Sequence, residues 1–235
     1  MQEIAPQPAS PDKTHEAYKR IRAALNSNCA APGVFLNIRT VAERLKVSAT
    51  PVREALIRLS HEEVIGFIKG RGYYTKMLDP DDLVSDYELA TIMLKSSIDG
   101  RNNAIHEPQP TGLRDIWRGE PVIDKRHATT IANCVETIYE RIARMSGNRR
   151  LIASIGCFCA RTGHIRQFGL ISEPAIHEAL WSLNALEDAV LSGNRVLANR
   201  ITAKHTRLVS EAIPELVREL NLSAQTMRAN LEDLL

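Results

Sequence analysis

No apolar run in this 235-residue chain approaches the ~18 residues that a membrane-spanning helix requires. The opening stretch MQEIAPQPASPDK has neither the basic start nor the apolar core of a secretion signal, so a cytoplasmic location is expected. Cysteine is scarce. Cys29 and Cys134 stand alone, and Cys157 and Cys159 form a CxC without the CxxC pairs or neighbouring histidines that a zinc or redox site needs. The flanking LIASIGCFCAR reads as a buried apolar helix, so these thiols belong to a core in a reduced compartment. Also missing are a Ser/His/Asp order, an HExxH and a phosphate-binding glycine loop, so no motif supports an enzyme. With 44% hydrophobic and 25% charged residues the chain folds rather than staying disordered, and its length favours two domains.

What is present is unevenly charged. Residues 1–77 hold 12 Lys+Arg against 7 Asp+Glu, a balance of +5, whereas the remainder holds 18 against 21, a balance of −3. A basic front and a mildly acidic back suggest a polyanion-binding part joined to something with another task. After a Pro-rich leader over 1–11, Tyr18, Ile21, Ala24 and Leu25 recur at helical spacing, with Asp12 or Thr14 as the cap. Pro32-Gly33 breaks the pattern. NIRTVAERLKV then predicts a short helix burying Val41, Ala42 and Leu45. After a tight turn, Val52, Ala55, Leu56 and Leu59 form the stripe of a second helix, capped by Ser48 or Thr50 and opened by Pro51. Two β-prone runs, 64–68 and 73–76, flank Gly70-Arg71-Gly72 and predict a glycine-tipped hairpin with a basic tip. This order is that of a winged helix-turn-helix over 12–77.

Residues 78–83, LDPDDL, read as a linker, with Asp79 or Asp81 capping the helix that follows. From 84 to 235 no further strand is expected. Helical patterns run over about 81–98, 112–119, 125–145, 148–168, 174–192, 194–210 and 213–232. The joints Ser146-Gly147-Asn148 and Ser192-Gly193-Asn194 suit left-handed helix caps. The fold class is therefore mainly α: an N-terminal winged helix-turn-helix and a C-terminal all-α bundle of six or seven helices, large enough to enclose a pocket.

The start of the second helix carries more than packing requires. Its unpaired amides and partial positive charge suit a phosphate, and the hydroxyls of Ser48 and Thr50 with the Arg53 guanidinium add base-edge and anion contacts. Arg58, away from that end, is expected to pair with Glu54 at i−4.

These residues carry a resemblance. YKRIRAALNSNCAAPGVFLNIRTVAERLKVSATPVREALIRLSHEEVI followed by GRGYYTKM is similar to the DNA-binding domain of the GntR transcriptional regulators. The helical remainder, with ARMSGNRRL and LEDAVLSGNRVLANRITAKH, resembles the FCD-type effector domain of the FadR-like branch. The resemblance implies a homodimer that binds a short palindromic operator in double-stranded DNA, usually represses, and responds to a small, usually acidic metabolite. By position, Arg39 and Arg53 match family DNA contacts, and Lys69, Gly70 and Arg71 match the wing tip that reaches the minor groove. Ala49 departs from the family's usual Arg, removing one contact.

The resemblance also implies a metal held by Asp and three His. The corresponding positions here are Val135, Tyr139, Leu183 and His205, so only His205 matches, and no metal or other cofactor is expected. Glu136, His164 and His177 could serve only through a shifted register. The effector-clamping Arg of the family falls on Leu89-Ala90. Tyr139, Arg161, Asn184 and His205 remain as candidate pocket residues, Tyr139 and Asn184 with at least an equal claim to packing or a helix-surface role and Arg161 with a stronger claim to a surface ion pair. A neutral or more apolar effector, or none, stays open. So do a DNA-binding dimer whose bundle serves only assembly, and a helical metal protein or enzyme on a nucleic-acid tether.

Overall fold

Tyr18, Ile21 and Ala24, spaced three apart, all turn inward on α1 (Lys13–Asn26). In the computed structural model, residues 13–26, 32–100, 110–116, 125–172, 175–227, 231 and 235 are described. Asp12, one of the two expected caps of α1, lies outside them. The other, Thr14, sits inside the helix and donates its hydroxyl to Glu54 at 2.6 Å.

α2 (Ile38–Leu45) starts at Asn37, whose side chain accepts from the amides of Arg39 and Thr40. It ends on Lys46 in a left-handed conformation, φ 57°, which turns the chain sharply into α3 (Ala49–His61). Val52, Ala55, Leu56 and Leu59 of α3 are fully buried against α1 and α2. Ser48 occupies the N-cap position but makes no capping bond, and Thr50 lies in the first turn. The expected side-chain cap of α3 is therefore absent, which leaves the Ser48 hydroxyl to solvent.

β1 (Ile65–Ile68) and β2 (Gly72–Thr75) pair antiparallel, Ile65 opposite Thr75 and Ile68 opposite Gly72. Gly70 and Gly72 take positive φ, 84° and 104°, as the tight tip demands. The stretch before α2, read from sequence as a break, adds to this hairpin. Gly33 donates to Thr75 O at 2.7 Å, Thr75 to Val34 O at 3.0 Å and Leu36 to Tyr73 O at 2.8 Å. Phe35 thus bridges Tyr74 as a rudimentary third strand.

α4 (Pro80–Asp99) begins within the expected linker, with Asp79 as N-cap accepting from Asp81 N. It is followed by α5 (Leu113–Ile116), α6 (Lys125–Met145), α7 (Arg149–Ser172), α8 (Ala175–Leu191) and α9 (Arg195–Met227). Gly147 and Gly193 hold the expected left-handed caps, φ 64° and 71°. The two separate helices expected over 194–210 and 213–232 are one, α9, which runs through Pro214. Proline costs a helix one backbone bond and a clash with the preceding turn. Here it is exposed, and the stripe Val209, Ile213, Leu216, Val217 and Leu220 continues across it into the core.

The two cores meet along α1 and α7. Arg22 of α1 reaches Glu136 of α6 at 2.8 and 3.0 Å and the Cys159 carbonyl of α7 at 2.9 Å. Arg166 of α7, its side chain only 6% exposed, binds the same carboxylate at 2.6 Å and the same carbonyl at 2.8 Å. Removing one partner of a buried pair leaves an uncompensated charge. Glu136→Ala is therefore expected to destabilise by about 3–5 kcal/mol. Arg22→Met, which keeps the Glu136–Arg166 pair, should cost less; denaturant titration of both variants checks the order.

Candidate nucleic-acid interface and effector pocket

Amphipathic helices bury one face and offer the other, and in α3 the offered face begins at the cationic end. Ser48, Thr50 and Arg53 are all exposed there. Arg39, in the first turn of α2, is exposed as well, as are Lys69, Gly70 and Arg71 at the hairpin tip. Among the described residues no salt bridge engages Arg39, Arg53 or Lys69. Arg71 lies 4.5 Å over the Phe35 ring, so the added strand props one side of the hairpin tip. Arg58 behaves differently and not as expected. It pairs with Glu62 at i+4, Nε to Oε1 2.9 Å, not with Glu54, and sits 3.8 Å over the Tyr18 ring. Tyr18 donates its hydroxyl to the same Glu62 at 2.7 Å, which draws that carboxylate and with it Arg58 towards α1.

The bundle interior holds a second polar cluster. Tyr139 and His205 meet at 2.5 Å through the hydroxyl and Nε2. His205 Nδ1 lies 3.1 Å from the Ala179 carbonyl, which can only accept, so Nδ1 carries the proton and Nε2 accepts from Tyr139. Ser182 Oγ also lies 3.2 Å from Nδ1. Both ring nitrogens are thereby engaged. Phe158 packs between Tyr139, tilted at a centroid distance of 5.7 Å, and Tyr87, edge-on at 5.0 Å. Asn184 is buried with both amide atoms unpartnered, and the Tyr87 hydroxyl is likewise unpartnered. Arg161 does not join this group. It forms a two-point ion pair with Asp86 of α4, Nε at 2.8 Å and Nη2 at 2.5 Å, at the seam between the two cores.

Residues 13–74 match the family described as bacterial regulatory proteins, gntR family. The Nta operon transcriptional regulator of Aminobacter aminovorans is 26% identical over 147 residues, 63% of this chain and 70% of that protein. An HTH-type transcriptional regulator in an unstable DNA locus of Streptomyces ambofaciens is 24% identical over 205 residues, 86% and 85% of the two chains. Residues 13–74 are thus a gntR-type DNA-binding region, and the chain beyond them is similar to transcriptional regulators. The chain's fold is that of E. coli McbR/YncC, with TM-score 0.61 at 19% identity, covering 90% of this chain and 100% of the other. It is also that of a GntR regulator from Rhodococcus sp. RHA1, with TM-score 0.64 at 15% identity, covering 86% and 98%. The proteins it resembles are regulators and not enzymes.

Of the four pocket residues expected from the sequence, the fold brings Tyr139 and His205 together, buries Asn184 unpartnered and places Arg161 elsewhere. Sequence reasoning missed Tyr87 and Arg166 and left Glu136 as a shifted metal ligand. The available signal was Arg166 itself, a charge on the same helical face as Phe158, Thr162 and Ile165. Glu136 instead answers two arginines. His177 lies where no side chain is described. Val135 and Leu183 are core residues, and with both His205 nitrogens engaged the family's metal ligand set does not fit. No helix among the described residues is long and apolar enough to cross a membrane.

Burial drives the His205 pKa down to about 4 from the usual 6.5, against the opposing hydrogen bond to Ala179. Burial, helped by the Arg166 charge, brings His164 to about 4 as well. Both histidines are neutral when folded, while the unfolded chain protonates them below about pH 6.5. Their contribution to stability is full above that pH and is lost as pH falls towards 4. Thermal melts across this window should show a falling midpoint. A His205→Gln variant, with one titrating group fewer, should show a shallower fall.

Proposed function

We propose that this chain is a GntR-family regulator that binds a short two-fold-symmetric operator as a homodimer and represses in the cytoplasm. In this reading residues 12–77 are the reading head, and the helices from α4 onwards are a FadR-like FCD-type domain that dimerises and senses a small metabolite. The observation that carries it is that Arg39 at the start of α2, Arg53 in the first turns of α3 and Lys69 at the hairpin tip are all exposed and in no salt bridge among the described residues. Exposed cations that no carboxylate holds are available to phosphates and base edges. Arg53 at the α3 tip reads a base edge in the major groove, guanine O6 and N7 being its best match. Ser48 and Thr50 hydroxyls and the free amides of that helix end take phosphate oxygens. Arg39 adds a contact from α2, and Lys69, Gly70 and Arg71 follow the adjacent minor groove.

The sensing half of the reading is supported by two sets of buried polar atoms without hydrogen-bond partners, the Tyr87 hydroxyl, whose ring meets the Phe158 that also packs on Tyr139, and the Asn184 amide of α8. Buried polar atoms without partners are costly, and an effector that bonds them relieves the cost. The site works without a metal: His205 already spends both nitrogens on protein groups. Elemental analysis of purified protein should find no stoichiometric transition metal, and finding one would contradict this.

Selection of duplexes from a random pool, followed by gel-shift titration, tests the first half. Arg53→Ala should lose roughly 10–100-fold in discrimination for the selected operator, the value of one good two-point base contact. Lys69→Ala should weaken all duplexes alike and lower the salt slope by about 1. An unchanged footprint with Arg53→Ala would take that residue out of its assigned role.

A further inference from the structure

A cavity of about 350 Å³ opens at the seam between the winged helix-turn-helix and the bundle, distinct from both the α3 tip and the Tyr139–His205 cluster. That volume is in the range of small-ligand sites. One wall comes from the DNA-binding part: Val64 and Glu63 after α3, and Thr75 and Lys76 at the base of the wing. The other comes from α4, α7 and α9, with Leu83, Leu89 and Leu220 supplying apolar surface.

Its charged lining is predominantly acidic. Glu63, Asp79, Asp82 and Asp86 face it against only Lys76 and Arg161. Arg161 is consumed by its two-point pair with Asp86, which leaves the acids in excess. Deeper in, Asn26 is 6% exposed and its Oδ1 has no hydrogen-bond partner. That atom accepts only. The Nε2 of His164, also on the lining, is buried and unpartnered too. Burial keeps that imidazole neutral, so it adds no positive charge. An apolar wall, an unmet acceptor and a surplus of carboxylates all favour a donor-bearing cation over an anion.

We propose that this seam cavity is a second ligand site, taking a small organic cation with an apolar body, and that its occupancy clamps the wing base to the bundle. A ligand touching residues 63–76 on one side and α4 and α7 on the other can bias the angle of the reading head, because it binds one arrangement of the two parts better than others. The consequence for DNA, though not the binding itself, rests on the operator reading above.

The test titrates the full-length protein by calorimetry with phenethylamine, whose ring and ammonium match the two chemistries, and with phenylacetate as the matched anion. Saturable binding of phenethylamine at low-millimolar concentration is expected, with phenylacetate at least roughly fivefold weaker, the value of one exposed charge contact. Ser85→Trp, at an exposed lining position, should fill the cavity and abolish binding. Asp82→Asn, a milder change at an exposed residue, should weaken it several-fold and serves if the tryptophan variant misfolds. No saturation, equal binding of phenylacetate, or undiminished binding by these variants overturns the site. Operator affinity at saturating phenethylamine should shift, and no shift overturns the clamp. Operator binding without the amine tests the other reading separately, so either proposal can fail alone.

Discussion

One carboxylate holds the two halves of the molecule in register. Arg166 lies in the bundle interior, where water cannot solvate its guanidinium, and Glu136 is the anion that makes its burial tolerable. The same carboxylate accepts from Arg22 of the DNA-binding part, and both arginines also donate to the Cys159 carbonyl. The approach that permits this is close. Gly163 of α7 faces Asn26 of α1 so tightly that a Cβ there would stand 2.8 Å from the Asn26 amide nitrogen. Neutralising the core and anchoring the reading head are thus one set of bonds, and a change at either end is felt at the other. The chain's far end adds to the hold, Leu231 packing in the N-terminal core and the Leu235 carbonyl accepting from Arg20 at 2.9 Å.

Charge is handled in opposite ways at the surfaces that matter. Inside, each arginine is matched: Arg166 and Arg22 to Glu136, Arg161 to Asp86. On the presented face of α2, α3 and the wing, Arg39, Arg53 and Lys69 are left unmatched. An exposed cation in water costs little to leave unpaired, whereas a buried one is costly, so the free cations can only be where solvent reaches. That separation lets the protein hold its own fold with ion pairs and still keep a set of cations for a polyanion.

The winged helix-turn-helix was legible almost residue by residue, because its signals are local. The apolar spacing of α1 to α3, the turn after α2, and the glycines of the hairpin tip each act over a few positions. The pairing of Phe35 with Tyr74 was not legible, since a strand of one bridge has no period to read. Pro214 misled for the opposite reason: a strong local breaker was overridden by the burial of Ile213, Leu216 and Val217 against the rest of the bundle. Arg58 had acids at both i−4 and i+4. Tyr18, forty positions away, decided for Glu62 by sharing that carboxylate and offering its ring. In the bundle, Tyr139 and His205 were candidates for one pocket and meet each other, whereas Arg161, also a candidate but with an ion pair as its stronger reading, pairs with Asp86 at the seam.

By itself, then, the order of residues determined the class of each element, the cationic end of α3 and the glycine-dependent wing. These follow from side-chain chemistry and short-range spacing. The tertiary structure alone decided which carboxylate answers which arginine, which polar atoms end buried without partners, and that a cavity lies between the two parts. Those outcomes depend on groups separated by tens to hundreds of positions, brought together only when the apolar faces of α1, α4 and α7 exclude water.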